Sequence, residues 1–372
     1  MPVLQVLPEL NAGGVERTAV EVAEALVEAG HVPHVASAGG RLEADLAQLG
    51  AVHHTLPLRT KNPLRWPGNA RALRRIIDAQ GIRLVHARSR APAFAARAAA
   101  RAAGARWVTT YHGIYNAAPP PLGALKRRYN AVMASGEVVV ANSQWTRAHI
   151  LRVHGTDPVR VRVVPRGVDM GRFDPAKIDA SSRLAQRAAW GVPDGAPLWL
   201  LPGRLTVWKG QSTAIRALAE GGQAHLVLLG DAQGRDGYVE ELRSLARELG
   251  VAARLHVVPH TDAVPLALAA ADVVLSPSVR PEAFGRVSAE AQAMGVPVVA
   301  SAHGGSLETV LDGQTGRLVP PGDAAALARA CADVVAWEGF DPASSRARME
   351  RLFSARAMKA GVMAIYRELG AL

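Results

Sequence analysis

Short apolar runs rich in valine and leucine alternate with segments of helical periodicity along the whole chain, and this alternation limits the fold more than any single motif. Strands separated by helices lie parallel, because each helix carries the chain back to the starting edge of the sheet. The pattern predicts strands near Val3–Leu7, Val32–Ser37, Leu84–Ala87, Trp107–Thr110, Val138–Ala141 and Val161–Val164. Between the first two, Val15, Ala19, Val22, Ala23 and Leu26 fall on one helical face of Val15–Glu28. Over Gly68–Ala79 the spacing turns Leu73, Ile76 and Ile77 inward and Arg71, Arg74 and Arg75 outward. After Val164 the stretch PRGVDMGRFDPAKIDASS is dense in Pro, Gly, Asp and Ser and reads as a linker. A second series follows, with strands near Leu198–Leu201, His225–Leu229, Arg254–Val257, Val273–Leu275 and Val298–Ala300, then helices over Ala324–Ala336 and Ala355–Leu369. The expected fold class is therefore α/β, two doubly wound parallel-sheet domains with a cleft between them. In such sheets ligands sit beyond the carboxyl ends of the strands.

Length agrees, since 372 residues exceed the ~250–300 that one core usually serves. An apolar content of 49% excludes a disordered chain. The single cysteine, Cys331, has no internal partner, and Met1 leads almost directly into the apolar VLQVL, so a cytoplasmic protein is expected. No apolar run approaches the ~18 residues of a membrane span, which leaves only peripheral membrane contact. The net charge of +11 has a location: residues 59–106 hold twelve basic side chains against one acid, Asp78. That window is either a set of solvated helix faces or an electropositive face for phosphates or an anionic membrane surface. No zinc, homeodomain or RNP pattern accompanies it, so nucleic acid is not an expected partner.

Chemistry is expected in the loops after strands. The Gly13-Gly14 turn opens a helix where backbone can approach an anion. Its spacing is not GxGxxG and no acid ends the second strand, which disfavours a nicotinamide dinucleotide. His112 follows the strand at Trp107 in TTYHGIYN and is either a substrate contact or a structural histidine. Arg204 and Lys209 sit five residues apart after the strand at Leu198, where both can face a diphosphate. Gly230 ends another strand, and Val257 and Val258 place backbone where a flat base can pair.

The stretch PEAFGRVSAE carries Glu282 and Glu290 with seven residues between them. Even as continuous helix, eight residues rise about 12 Å. A retaining glycosidase needs its two carboxyl groups roughly 5–5.5 Å apart, so a retaining hydrolytic pair fits poorly, while the wider inverting separation stays open. A division of labour fits better: the amides of Gly285, Arg286 and Val287 cradle phosphate at a helix start, and a carboxylate on each side accepts sugar hydroxyls. No Asp-x-Asp occurs, so charge neutralisation is expected from Arg204, Lys209 and helix dipoles.

Taken in order, GGVER, TTYHG, ANSQWT, VVPRGVD, PGRLTVWKG, LLGD, PEAFGRVSAEAQAMGVPVVAS and HGGSLETVLDGQTGRLVPPGD resemble the GT-B-fold glycosyltransferases of family 4, over nearly the whole chain. The resemblance implies two Rossmann-like domains facing a central cleft. Residues 1–168, with a helix in 355–372 packing back, would hold the acceptor, and 169–354 the nucleotide sugar. It implies transfer of a hexose with retention, from a UDP-sugar expected as co-substrate, without a metal or other cofactor. Envelope glycolipids such as a lipopolysaccharide core are the acceptors it suggests, reached at the inner membrane face through the basic window. By position, Arg204 and Lys209 match the diphosphate pair, Glu282 the carboxylate at the donor sugar and Glu290 the one at the ribose. His112 matches the histidine near the reacting sugar, Gly14 the phosphate-side glycine, and Phe284 to Val287 the FGRV segment whose amides meet the phosphates. Ala283 and Arg286 depart from the usual pattern, and Arg286 would either add a phosphate contact or reach the acceptor. The alternatives are a GT-B epimerase or hydrolase of nucleotide sugars, and a non-catalytic module that binds membrane or nucleic acid.

Overall fold

Every strand pairing among the described residues is parallel. The structure is a computed structural model and describes residues 2–11, 13–113 and 122–372; the end of TTYHGIYN therefore lies outside the described residues. Two compact units emerge, Met1–Gly167 with Ala355–Leu372, and Val168–Ser354. The first contains β1 (Val3–Val6), β2 (Pro33–Ser37), β3 (Val52–Thr55), β4 (Leu84–Ala87), β5 (Arg106–Tyr111), β6 (Val138–Ala141) and β7 (Val161–Val163), in the order β3-β2-β1-β4-β5-β6-β7. The second contains β8 (Leu198–Pro202), β9 (His225–Leu229), β10 (Leu255–Val258), β11 (Val273–Ser276), β12 (Val298–Ser301) and β13 (Gly316–Val319), in the order β10-β9-β8-β11-β12-β13. Both orders reverse direction once, between β1 and β4 and between β8 and β11, and such a reversal opens a crevice at the carboxyl ends of the two strands.

Alternation along the strands divides the first unit into two cores. Leu4, Val6, Val85 and Ala87 face one way, toward alanines of the helix Arg90–Ala103 and Leu73 and Ile77 of the helix Trp66–Ala79. Val3, Leu84, Val108 and Val140 face the other, where the helix Gly14–Glu28 brings Val22 and Leu26. The helix Ala355–Glu368 completes this second face with Met358, Val362, Met363, Ile365 and Tyr366, all buried. Lys359 adds ion pairs to Glu24 and Glu28 at 3.1 and 3.0 Å. Partly exposed pairs contribute about 1 kcal/mol or less, whereas each buried large apolar side chain contributes about 2 kcal/mol, so packing holds this helix.

The stretch after Val164 differs from a plain linker. Val168 and Phe173 are buried in the core of the second unit, and the aspartates act as local caps. Asp169 Oδ1 accepts the amides of Gly171 and Arg172 at 3.0 Å, and Asp179 Oδ1 accepts that of Ser182 at 2.6 Å. The Pro/Gly/Asp/Ser composition therefore records turns and helix starts rather than slack.

Each sheet also ends in a stacked histidine pair. His34 and His54 lie 3.0 Å apart between ring nitrogens across β2 and β3, and His225 and His256 lie 2.9 Å apart across β9 and β10. Burial, then the neighbouring His54, pushes His34 down to about 4; burial first and its neighbours second also lower His54, His225 and His256. The folded chain thus binds fewer protons than the unfolded chain, whose histidines titrate near 6.5. Stability present above pH 6.5 is lost as pH falls from about 6.5 toward 4, by up to about 3 kcal/mol at His34. Urea midpoints measured from pH 7 to pH 4.5 should fall, and a His34→Leu/His54→Leu variant should fall less steeply. An unchanged slope in that variant would remove the histidine pair as the cause.

Candidate active site

Glycine permits the loops after β8 and β11 to meet. Gly210, at φ +77°, starts the helix Gln211–Glu220, and a Cβ on it would lie 2.0 Å from the carbonyl oxygen of Pro277. Only a residue without a side chain fits there. This approach brings Lys209, after β8, to Glu282, after β11: Lys209 Nζ donates to Glu282 Oε1 at 2.8 Å, with the side chains 14% and 13% exposed. Ser278 Oγ donates to the same oxygen at 2.5 Å. Its own carbonyl lies 2.7 Å from His303 Nε2. Burial opposes ionisation of Glu282, but the charge and hydrogen bond of Lys209, the Ser278 bond and the His303 ring outweigh it and hold the carboxyl below its ordinary range. Lys209 also lies 4.7 Å from the centre of the Trp208 ring.

Glu290 is not beside Glu282 but on the following helix, Arg286–Ala293, which begins at Gly285 with φ +83° and no side-chain cap. Arg286 closes on Glu290 one turn later, Nη2 to Oε1 at 2.7 Å and Nε at 3.2 Å. This contact lies within its own helix, and the Arg286 side chain stays 44% exposed. Phe284 turns its side chain into the core, 5.6 Å from Phe353, so only its backbone faces the loop. Val287 is partly buried against that same core. Arg204 is exposed and, among the described residues, makes no ion pair. Gly230 packs on the carbonyl of Gly203 and donates its amide to Val258 at 2.9 Å, which occupies a carbonyl of the β10 edge; Val257 lies on the same strand.

In the first unit Gly14 is the first residue of its helix, after β1. His112 follows β5, its carbonyl accepting from Asn142 Nδ2 at 3.1 Å and its Nδ1 lying 3.2 Å from Arg166 Nη2. Burial first, then the charges of Arg166, Arg88 and His86, holds this histidine well below its ordinary range, so it is neutral at pH 7.

Residues 12–172 match the family described as Glycosyltransferase Family 4, and residues 182–351 match Glycosyl transferases group 1. A glycosyltransferase from Rickettsia africae ESF-5 is 32% identical, over 99% of this chain and 98% of that one, with a TM-score of 0.89. The chain belongs to the glycosyltransferases. Its two parallel-sheet, Rossmann-like units are the GT-B fold. Anabaena Alr3699/HepE in complex with UDP-glucose is 25% identical, each chain covered in full, with a TM-score of 0.82. A D-inositol 3-phosphate glycosyltransferase of Xylanimonas cellulosilytica is 41% identical over 212 residues, 56% of this chain and 51% of that protein. The match to such curated relatives spans about half of their length or less.

Two groups in this glycosyltransferase escaped the reading of its loops. Ser278 sits four residues before Glu282 with no motif to mark it. Gly304 and Gly305 carry a fainter signal, a glycine pair after a strand: a Cβ on either would lie 2.4 Å from the backbone of Glu282 or Phe284, and Gly305 donates to the Glu282 carbonyl at 2.8 Å. Removing one member of a buried ion pair leaves the other charge unmet. Lys209→Met should therefore lower the denaturation free energy by about 3 kcal/mol, and Lys209→Met/Glu282→Gln should recover much of the loss. Urea unfolding of the four proteins measures the coupling; additive effects would show that the pair does not act as a unit.

Proposed function

We propose that the chain is a retaining, metal-independent hexosyltransferase that uses a UDP-sugar. The supporting observation is the place of the Lys209–Glu282–Ser278 group, at the single reversal of the second sheet and beside an uncapped helix start. Loss of the diphosphate develops negative charge, which Lys209, Arg204 and the amides opening the helix at Gly285 would stabilise. Both recorded bonds of Glu282 go to Oε1, so Oε2 is the oxygen offered to a sugar hydroxyl. Glu290, oriented by Arg286, is assigned to the ribose. A diphosphate oxygen would take the acceptor proton on the face from which it departs. The UDP-glucose complex of the Anabaena relative supports uridine as the base.

For the acceptor, an envelope glycolipid such as a lipopolysaccharide core is the first reading. The name of the 41% identical relative favours a second, an inositol phosphate. Both are phosphorylated polyols, and the first unit carries the basic excess. That excess is not one face: Arg88 is buried, Arg74 pairs with Asp78, and Arg106 pairs with Glu137. Arg59 likewise pairs with Glu9, so what remains concentrated is an exposed run with Lys61, Leu64 and Arg65, joined through the Trp66–Tyr129 contact at 6.4 Å to exposed Leu125, Arg127 and Arg128. Among the described residues no helix is long and apolar enough to cross a membrane. We assign this patch to an anionic lipid surface, each basic residue contributing about 1 kcal/mol.

Thermal shift against UDP-, GDP- and ADP-sugars, followed by transfer assays with both acceptors, tests the function. A UDP-sugar should raise Tm, and Glu282→Gln should cut transfer at least ~100-fold, as expected for a lost transition-state contact of about 2.7 kcal/mol. Rapid donor consumption without acceptor would instead indicate a hydrolase or epimerase. Leu64→Asp/Leu125→Asp should weaken sedimentation with anionic liposomes and leave soluble-acceptor transfer intact; equal sedimentation would remove the membrane assignment.

A further inference from the structure

Among the buried side-chain donors of the first unit that find no acceptor among the described residues, strand register makes two neighbours, Arg88 Nη2 and His112 Nε2. His86, on β4, bonds Thr110, on β5, through Nε2 and Oγ1 at 2.6 Å, so both side chains occupy one face of the sheet. Side chains alternate along a strand, so Arg88 and His112, each two residues further on, share that face and the same diagonal relation. Both stand at the carboxyl end of the sheet, Arg88 just after β4 on one side of the reversal between β1 and β4.

The chemistry of each group is determined by its partners. A guanidinium only donates, so in the Arg166–His112 contact Nδ1 is the acceptor and the ring proton is on Nε2. That Nε2–H is buried with no acceptor. Arg88 is 2% exposed; its Nε donates to Gln5 Oε1 at 2.7 Å, the Tyr366 hydroxyl takes another bond, and Nη2 is buried with no acceptor. Its partners in those bonds are neutral oxygens, and the charge of Glu21 favours the cation. A buried cation normally has an anion against it, and unmet buried donors are rare. Together, Arg88 Nη2 and the His112 Nε2–H are two buried donors with no acceptor among the described residues, with the charge of Arg166 behind the ring.

We propose that His112 Nε2–H and Arg88 Nη2–H form an oxyanion subsite of the first sheet that takes a phosphate oxygen of a substrate, with Arg166 the positioning residue that sets the His112 tautomer. The subsite rests on the glycosyltransferase reading only in that such an enzyme meets phosphate in its donor and, in either acceptor reading, in its acceptor. As a donor at Nε2, His112 contributes a hydrogen bond and does not remove a proton from the attacking hydroxyl.

Long-range proton–nitrogen NMR of histidine-labelled full-length protein tests the proposal, with His112 assigned by comparison with His112→Gln. The expected spectrum without ligand shows His112 in one tautomer, protonated at Nε2. Titration with inorganic phosphate, D-inositol 3-phosphate and UDP in separate samples should move that Nε2 proton downfield. A response to D-inositol 3-phosphate stronger than to UDP assigns the anion to the acceptor, and the reverse assigns it to the donor. Arg166→Gln should give a tautomer mixture and weaken phosphate binding about 10-fold or more, as the loss of one charge-assisted bond implies, whereas Arg166→Lys should recover part of both. Arg88→Gln should weaken binding without changing the tautomer. An Nδ1-protonated His112, or an Nε2 signal unmoved by all three phosphates, overturns the subsite. If UDP-sugar binding and transfer persist in that case, the catalytic reading stands without it; if phosphate moves His112 while no nucleotide sugar binds, the catalytic reading fails and the subsite stands.

Discussion

Parallel pairing is the constraint on which the remaining features depend. A parallel strand cannot be followed by a tight hairpin, so each connection leaves from a carboxyl end and returns beneath the sheet. Loops from distant parts of the sequence therefore collect at one edge. Lys209 and Glu282, 73 residues apart in sequence, form a hydrogen bond because β8 and β11 are adjacent and point the same way. The glycines complete this approach: where two strand-end loops come this close, a Cβ at Gly210, Gly230 or Gly304 would overlap a neighbouring backbone.

The legibility of the fold follows burial. β4, β8, β9 and β11 are apolar on both faces and read directly as strands. The two strands that the pattern does not show are the edge strands β3 and β13, whose sequences VHHT and GRLV mix histidine, glycine and arginine with one or two apolar residues. An edge strand is covered on fewer sides, so its composition carries less of the periodic signal. Likewise, the stretch after Val164 was read for its polar residues, while Val168 and Phe173, which anchor it, are too few to form a pattern.

The site was legible as residue types and less so as pairings. Strand-end position singled out Arg204, Lys209, Glu282, Glu290 and His112, because polar residues there are seldom required by the core. Which side chains meet depends on strand order and rotamer, neither of which sequence spacing encodes. Thus the Lys209–Glu282 pair and the hold of Arg166 on His112 appear only in three dimensions, whereas the Arg286–Glu290 contact is an i,i+4 pair within one helix. Phe284 shows the converse: it belongs to the FGRV segment, expected to meet phosphate, yet its ring serves the core.

The return of the helix Ala355–Glu368 to the first unit has a consequence for the order in which the protein can be made. The second unit has all its residues once Ser354 has been synthesised, and it is continuous in sequence. The first unit does not: the face formed by Val3, Leu84, Val108 and Val140 lacks Met358, Met363 and Tyr366 until residues 355–368 leave the ribosome. An emerging chain therefore carries an uncovered apolar face throughout the synthesis of the second unit, and the first unit is completed only after the second.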